Sequence, residues 1–156
     1  MNFRTGFYAG IFAAMIWAAW LIRLWQPERQ IELHSVHLLE QIEKKNWKNL
    51  AERVSPAYQD RWGHDRARLL ERLRQVSRIL VNPRIEATQR KVHRDSDHNY
   101  WSAKITLQAS GEFADYVQAR INNLDAPFEL EWKRGATWPW DWKLIAVRNP
   151  ELEVPE

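Results

Sequence analysis

From Thr5 to Ile22 the chain runs eighteen residues without a charge, and Arg4 and Arg23 close the run at its two ends. No acidic residue appears before Glu28. At a rise of about 1.5 Å per residue, eighteen helical residues span roughly 27 Å, close to the hydrocarbon thickness of a bilayer. Lipid offers peptide groups no hydrogen-bond partners, so such a segment has to be helical. Phe7 and Tyr8 stand at one end, Trp20 and Trp25 at the other, where aromatic rings suit the membrane–water interfaces. Arg23 has a stem long enough to place its guanidinium among headgroups. This reading predicts a short tail and one transmembrane helix over residues 1–26, then one soluble domain over 27–156 joined by the short Pro27-Glu28 link.

A positive start and an apolar centre also fit a cleaved secretory signal. The run, however, ends in Trp17, Trp20 and Trp25 rather than at a small-x-small cleavage site, which favours a retained anchor. Gly6, Gly10, Ala14 and Ala18 recur every fourth residue and form a small-residue stripe on which a second helix can approach closely. That stripe raises a homodimer or an envelope protein complex as partners beside the lipid bilayer. Flanking charge is nearly balanced, Arg4 and the α-amino group against Arg23 and Arg29. Signal-anchor segments of this layout usually leave the domain outside the cytoplasm, and that orientation is the expectation. With zero cysteines, the chain carries no disulfide cue to its compartment.

The net charge of +3 hides a polarised domain. Residues 27–60 sum to −1, residues 61–94 to +7 and residues 95–156 to −5. The basic block reads either as a solvated helix face or as a surface for anionic headgroups.

Periodicity divides the domain into helices and then strands. Ile31, Leu38, Leu39 and Ile42 share one face of a helix from Glu28 to about Lys45. Asn46 caps a short second helix, Trp47 to Val54, which Ser55-Pro56 ends. Asp65 caps a third, to about Leu80, with Leu69, Leu70, Leu73, Val76 and Leu80 inward. The period then falls to two. Trp101, Ala103, Ile105, Leu107 and Ala109 alternate with polar residues, and Arg84 to Arg94 pairs with that strand across a turn at Asp95, Ser96, Asp97 and Asn99. Phe128 to Lys133 and Trp142 to Val147 make two further strands around a turn at Gly135 to Pro139. Phe113 to Leu124 fits both periods and is assigned as an extended lead-in to the third strand.

The expected fold class is therefore α+β, three helices packed on a curved four-stranded antiparallel sheet behind one transmembrane helix. With K-N-W-K-N-L at 45–50, S-P-A-Y at 55–58, W-G-H-D at 62–65, P-F-E-L-E-W at 127–132 and W-D-W-K-L at 140–144, residues 30–150 resemble the nuclear transport factor 2-like (cystatin-like) superfamily. That resemblance implies helices seated in the concave face of a cone-shaped sheet. The superfamily holds ketosteroid isomerase-like and polyketide cyclase-like enzymes as well as non-enzymatic assembly domains. In layout the chain is also similar to the membrane-anchored assembly subunit of bacterial type IV secretion systems.

Several residues carry possible chemistry. His64 and Asp65, with Asp60 and Tyr58 nearby, are the candidate acid–base group; the alternative has Asp65 capping a helix and His64 exposed. Tyr58, Trp62, Trp101 and Trp132 are candidates to line an apolar pocket in the cone, against the simpler role of filling the core. His34 and His37 share a helix face, a possible two-ligand start that no carboxylate pattern or cysteine strengthens, and His93, Asp95, Asp97 and His98 gather at a turn where local hydrogen bonding is their simpler role. No metal, cofactor or nucleic acid is expected: the five glycines form no phosphate cradle. The function expected is a membrane-anchored binding or assembly module of the bacterial envelope. A small enzyme or apolar-ligand binder using the cone is the alternative.

Overall fold

The computed structural model describes residues 3–24, 26–95, 98–135, 138 and 140–153, with side chains at Tyr8, from Gly10 to Arg23 and beyond Trp25. Trp25, Ser96, Asp97 and Pro139, the side chain of Phe7 and the surroundings of Gly6 thus lie outside the described residues. Elements follow in the order α1 (Phe3–Leu24), α2 (Pro27–Glu43), α3 (Trp47–Arg53), α4 (Arg66–Ile79), β1 (Val81–Asp95), β2 (His98–Ser110), α5 (Ala114–Asn122), β3 (Phe128–Arg134) and β4 (Trp142–Arg148).

Local chemistry sets most of these limits. Pro27 opens α2, where its missing N–H costs nothing. Asn46 Oδ1 accepts from the Asn49 N–H at 3.4 Å at the start of α3, and Asp65 Oδ1 accepts from the Arg68 N–H at 2.8 Å at the start of α4. Lys45 donates to the carbonyls of Ser77 and Leu80 at 2.6 and 2.8 Å, placing a cation on the C-terminal end of α4.

The sheet runs β1-β2-β3-β4, every pair antiparallel. Bulges between Thr88 and Lys91 and between Glu131 and Trp132 break the register and bend the strands. The helices α2, α3 and α4 cover one face. The core between the layers is built on Ile31, Leu38, Leu50, Val54, Leu70, Trp101, Leu130, Trp132 and Leu144. Trp101 is completely buried, and its indole N–H reaches Glu32 Oε2 at 2.7 Å; the other oxygen of Glu32 pairs with Arg90 at 2.9 Å. A carboxylate from α2 thus satisfies an indole in the middle of the sheet.

Two expectations need correction. Residues 113–124 are not an extended lead-in but contain α5. Ala114, Val117 and Ile121 fall on one face at helical spacing and pack with Leu80 and Leu107 in a second apolar cluster. Asp115 in its first turn and Arg120 in its last complement the helix dipole. Gly111, just ahead of α5, takes φ +129, and a Cβ there would lie 2.4 Å from the Ile79 carbonyl oxygen, so only glycine fits.

The second concerns the membrane span. α1 is a continuous helix of 22 residues. Among the described residues, however, no helix is long and apolar enough to cross a membrane. Between Arg4 and Arg23 the helix mixes Gly, Ala, Tyr and Trp with its aliphatic residues, which dilutes its apolar character. What α1 does show is exposure: Ile11, Phe12, Met15, Ile16, Trp17, Trp20 and Ile22 all lie open around its circumference. Gly10, Ala14 and Ala18 of the small-residue stripe are open as well, and nothing lies within 4 Å of a Cβ placed on Gly10.

Candidate functional site

Between the helix layer and the sheet lies an apolar cavity of about 230 Å³. Leu38 and Ile42 of α2, Leu69 and Leu73 of α4, and Ile105, Leu130 and Leu144 of the sheet form much of its wall. The wall's one hydroxyl, Ser77, donates to the Arg74 carbonyl at 2.9 Å and so is occupied locally. A wall of this kind excludes an ionised group, whose desolvation nothing here would offset.

None of the four aromatic residues expected to line a pocket borders this cavity. Trp101 and Trp132 are fully buried core residues, and Tyr58 is buried with them. Trp62 faces the C-terminal segment and donates to the Leu152 carbonyl at 2.9 Å. Beside it, Arg61 reaches the Asn149 carbonyl at 2.8 Å. Asn149 is itself buried, accepting from the Glu151 and Leu152 N–H groups and donating to Ala126.

The acid–base candidates do come together, away from the cavity. Asp60 Oδ1 accepts the N–H groups of Trp62 and His64 at 3.0 and 2.9 Å. Its Oδ2 accepts from Tyr58 Oη at 3.3 Å and His64 Nδ1 at 3.1 Å. Both oxygens are engaged twice, in a buried position, which makes this carboxylate the organiser of the 58–64 turn. His64 is buried, not exposed, because Asp60 draws its ring inward. Burial, and then the Asp60 charge, hold the Tyr58 phenol well above its ordinary pKa. Asp65 stays at the surface as the cap of α4.

A second polar cluster sits on the opposite face of the sheet. Glu131 is buried there under His98, Tyr100 and Arg148, all three of which bond its carboxylate. His93 stacks on Tyr100 with ring centres 6.5 Å apart. Among the described residues no group of three or more metal-type ligands forms, here or at His34 and His37.

A third site escaped the sequence. His34, Asn49, Glu52, Arg53, Asp141, Trp142 and Lys143 border a polar cleft of about 310 Å³ between α2, α3 and β4. His34 Nε2 lies 3.1 Å from the Trp140 carbonyl, so it carries the proton, and Nδ1 accepts from Arg53 Nη1 at 3.0 Å. Burial, reinforced by the Arg53 charge, lowers the pKa of His34 and keeps the ring neutral. No spacing rule links positions 34, 53 and 140; only the fold does.

No protein-family model matches the chain, and no curated protein matches it. Solved structures do. A Streptomyces avermitilis protein of the nuclear transport factor 2-like family superposes with a TM-score of 0.57 at 13% identity, over 77% of this chain and 91% of that one. A Catenulispora acidiphila protein in complex with S-DNPA gives 0.53 at 11%, over 76% and 88%. A longer Bdellovibrio bacteriovorus protein gives 0.57 at 8% over 77% of this chain, which spans only 39% of that protein's length. The domain therefore has the nuclear transport factor 2-like fold, in agreement with the resemblance carried by its motifs. At these identities the likeness is one of fold alone.

Proposed function

We propose that the domain binds a small apolar molecule in the cavity between its helices and sheet, and that α1 holds it at a lipid bilayer. The observation that carries the first half is the cavity itself, about 230 Å³ with a wall of aliphatic side chains. A dry apolar cavity of about 150 Å³ takes up benzene in another protein, so this one suits a molecule of one or two rings, or a short branched chain. The wall presents no acid or base, since Asp60, His64 and Tyr58 are tied to each other elsewhere. Binding is thus better supported than catalysis. The Catenulispora acidiphila protein of similar fold, solved in complex with S-DNPA, supports a binding role for such a domain.

The test is methyl NMR on the full chain in non-ionic micelles. Toluene is expected to shift the Ile105 and Leu130 methyl resonances saturably, and Ile105→Phe is expected to fill the space and abolish the shift. Resonances that stay in place in the unmodified chain would remove this reading.

For α1 the support is its open apolar circumference together with the cations at its junction with α2. Trp20, Arg23, Glu28, Arg29 and Glu32 border one cleft with Val92 of β1, and Lys91 and Arg94 stand exposed beside Val92. Cations at the end of an apolar helix suit anionic headgroups. The open stripe of Gly10, Ala14 and Ala18 supports close approach of a second helix. The full chain is expected to float with vesicles. Ile16→Asp is expected to weaken that binding by about 3 kcal/mol, roughly a hundredfold. An intact chain that stays behind the vesicles would count against the tether.

A further inference from the structure

We infer that the cleft between α2, α3 and β4 binds a small monocarboxylate, with Arg53 as its counter-ion. Arg53 is half-buried on α3, and among the described residues no carboxylate lies within ion-pair distance of it. Its bonded partner is the neutral Nδ1 of His34, whose other nitrogen is committed to Trp140. A guanidinium partly removed from water and held by an uncharged acceptor retains free donors for an anion.

Trp142 borders the same cleft. Its ring is buried, and its indole N–H has no partner among the described residues. Arg134 lies over that ring at 5.0 Å and adds positive potential. The remaining charges set the valence. Lys143 is occupied by the Glu52 carbonyl at 2.8 Å and by the Asp141 carboxylate at 3.1 Å, and Glu52 keeps its own charge exposed. Among the described residues Arg53 is the cation of the cleft wall that lacks an ion pair, and with two carboxylates at the rim it matches a planar singly charged group. It does not match a phosphate dianion. The guanidinium fork fits carboxylate geometry, and a volume of about 310 Å³ admits a ring behind it. No residue of this cleft borders the apolar cavity, so the two sites stand or fall separately.

Calorimetric titration of benzoate into the full chain in non-ionic micelles tests the assignment. Saturable binding is expected, weakened by at least about tenfold in Arg53→Gln, less so in Arg53→Lys, which keeps the charge but not the fork, and unaffected by Ile105→Phe. If Arg53→Gln fails to fold, the Trp142 indole N–H resonance of the unmodified chain decides, because benzoate is expected to move it. No saturable binding, equal affinity in Arg53→Gln, loss of binding in Ile105→Phe, or an unmoved Trp142 resonance would each overturn the inference.

Discussion

The side-chain amide of Asn122 binds both backbone groups of Leu107: Oδ1 accepts its N–H at 2.7 Å and Nδ2 donates to its carbonyl at 3.0 Å. Strand β3 pairs with β2 only as far as Ala103, so the far half of β2 lacks a neighbour on that side. α5 fills the vacancy with side chains, since Gln118 Oε1 likewise accepts the Ala109 N–H at 3.1 Å. A helix here finishes a hydrogen-bond ladder that a strand began.

Asn122→Ala is therefore expected to cost about 2 kcal/mol, since it leaves a partly buried N–H and carbonyl unpaired. Urea denaturation measures the loss, and hydrogen exchange at the Leu107 amide should quicken in the same variant. An unchanged midpoint with unchanged exchange would show that water replaces the amide at no cost.

Tyr58 gives the protein an alkaline limit. Its pKa is raised in the folded state, first by burial and then by Asp60, so the folded chain holds the phenolic proton after the unfolded chain has lost it. Its contribution is complete below the ordinary value of 10.0 and is lost as pH climbs from there toward the folded value. Tyr58→Phe should lower stability by about 1 kcal/mol near neutral pH, from the bond to Asp60, and flatten the decline above pH 10. Denaturation midpoints measured from pH 8 to 11 check both effects.

His34 works in the other direction. Its folded pKa lies below 6.5, through burial and then Arg53, so the unfolded chain takes up the proton first on acidification. Its share of stability is present above pH 6.5 and is lost as pH falls toward the folded value. His37, also lowered from 6.5, adds to the same limb from a more exposed position. His34→Gln should reduce the dependence of the thermal midpoint on pH between 7 and 5. His37→Gln should change it less, and a larger effect at His37 would contradict this assignment.

Much of the fold was legible because its signals are local. Asn46 and Asp65 cap the helices at which they were read, and the alternation from Trp101 to Ala109 identifies a strand with one face inward. The α5 segment was not, because the stretch from Phe113 to Leu124 as a whole fits either period until Leu107 and Ala109 supply a surface for Ala114, Val117 and Ile121 to pack on. Sequence neighbours also brought Tyr58, Asp60 and His64 together, while their burial came from the packing around them. A pocket in the cone was raised, but its wall could not be read: an unfilled space has no residue type, only a set of leucines and isoleucines that stop short of one another.

The hold of Trp62 on Leu152 and of Arg61 on Asn149 makes the last described stretch of chain a buckle for the 58–64 loop. Cutting the polypeptide after Asn149 would strip the indole of its acceptor and leave the Asn149 side chain with fewer partners to clasp. Anything appended beyond Glu153 leaves the clasp shut, so labels and fusions belong behind it.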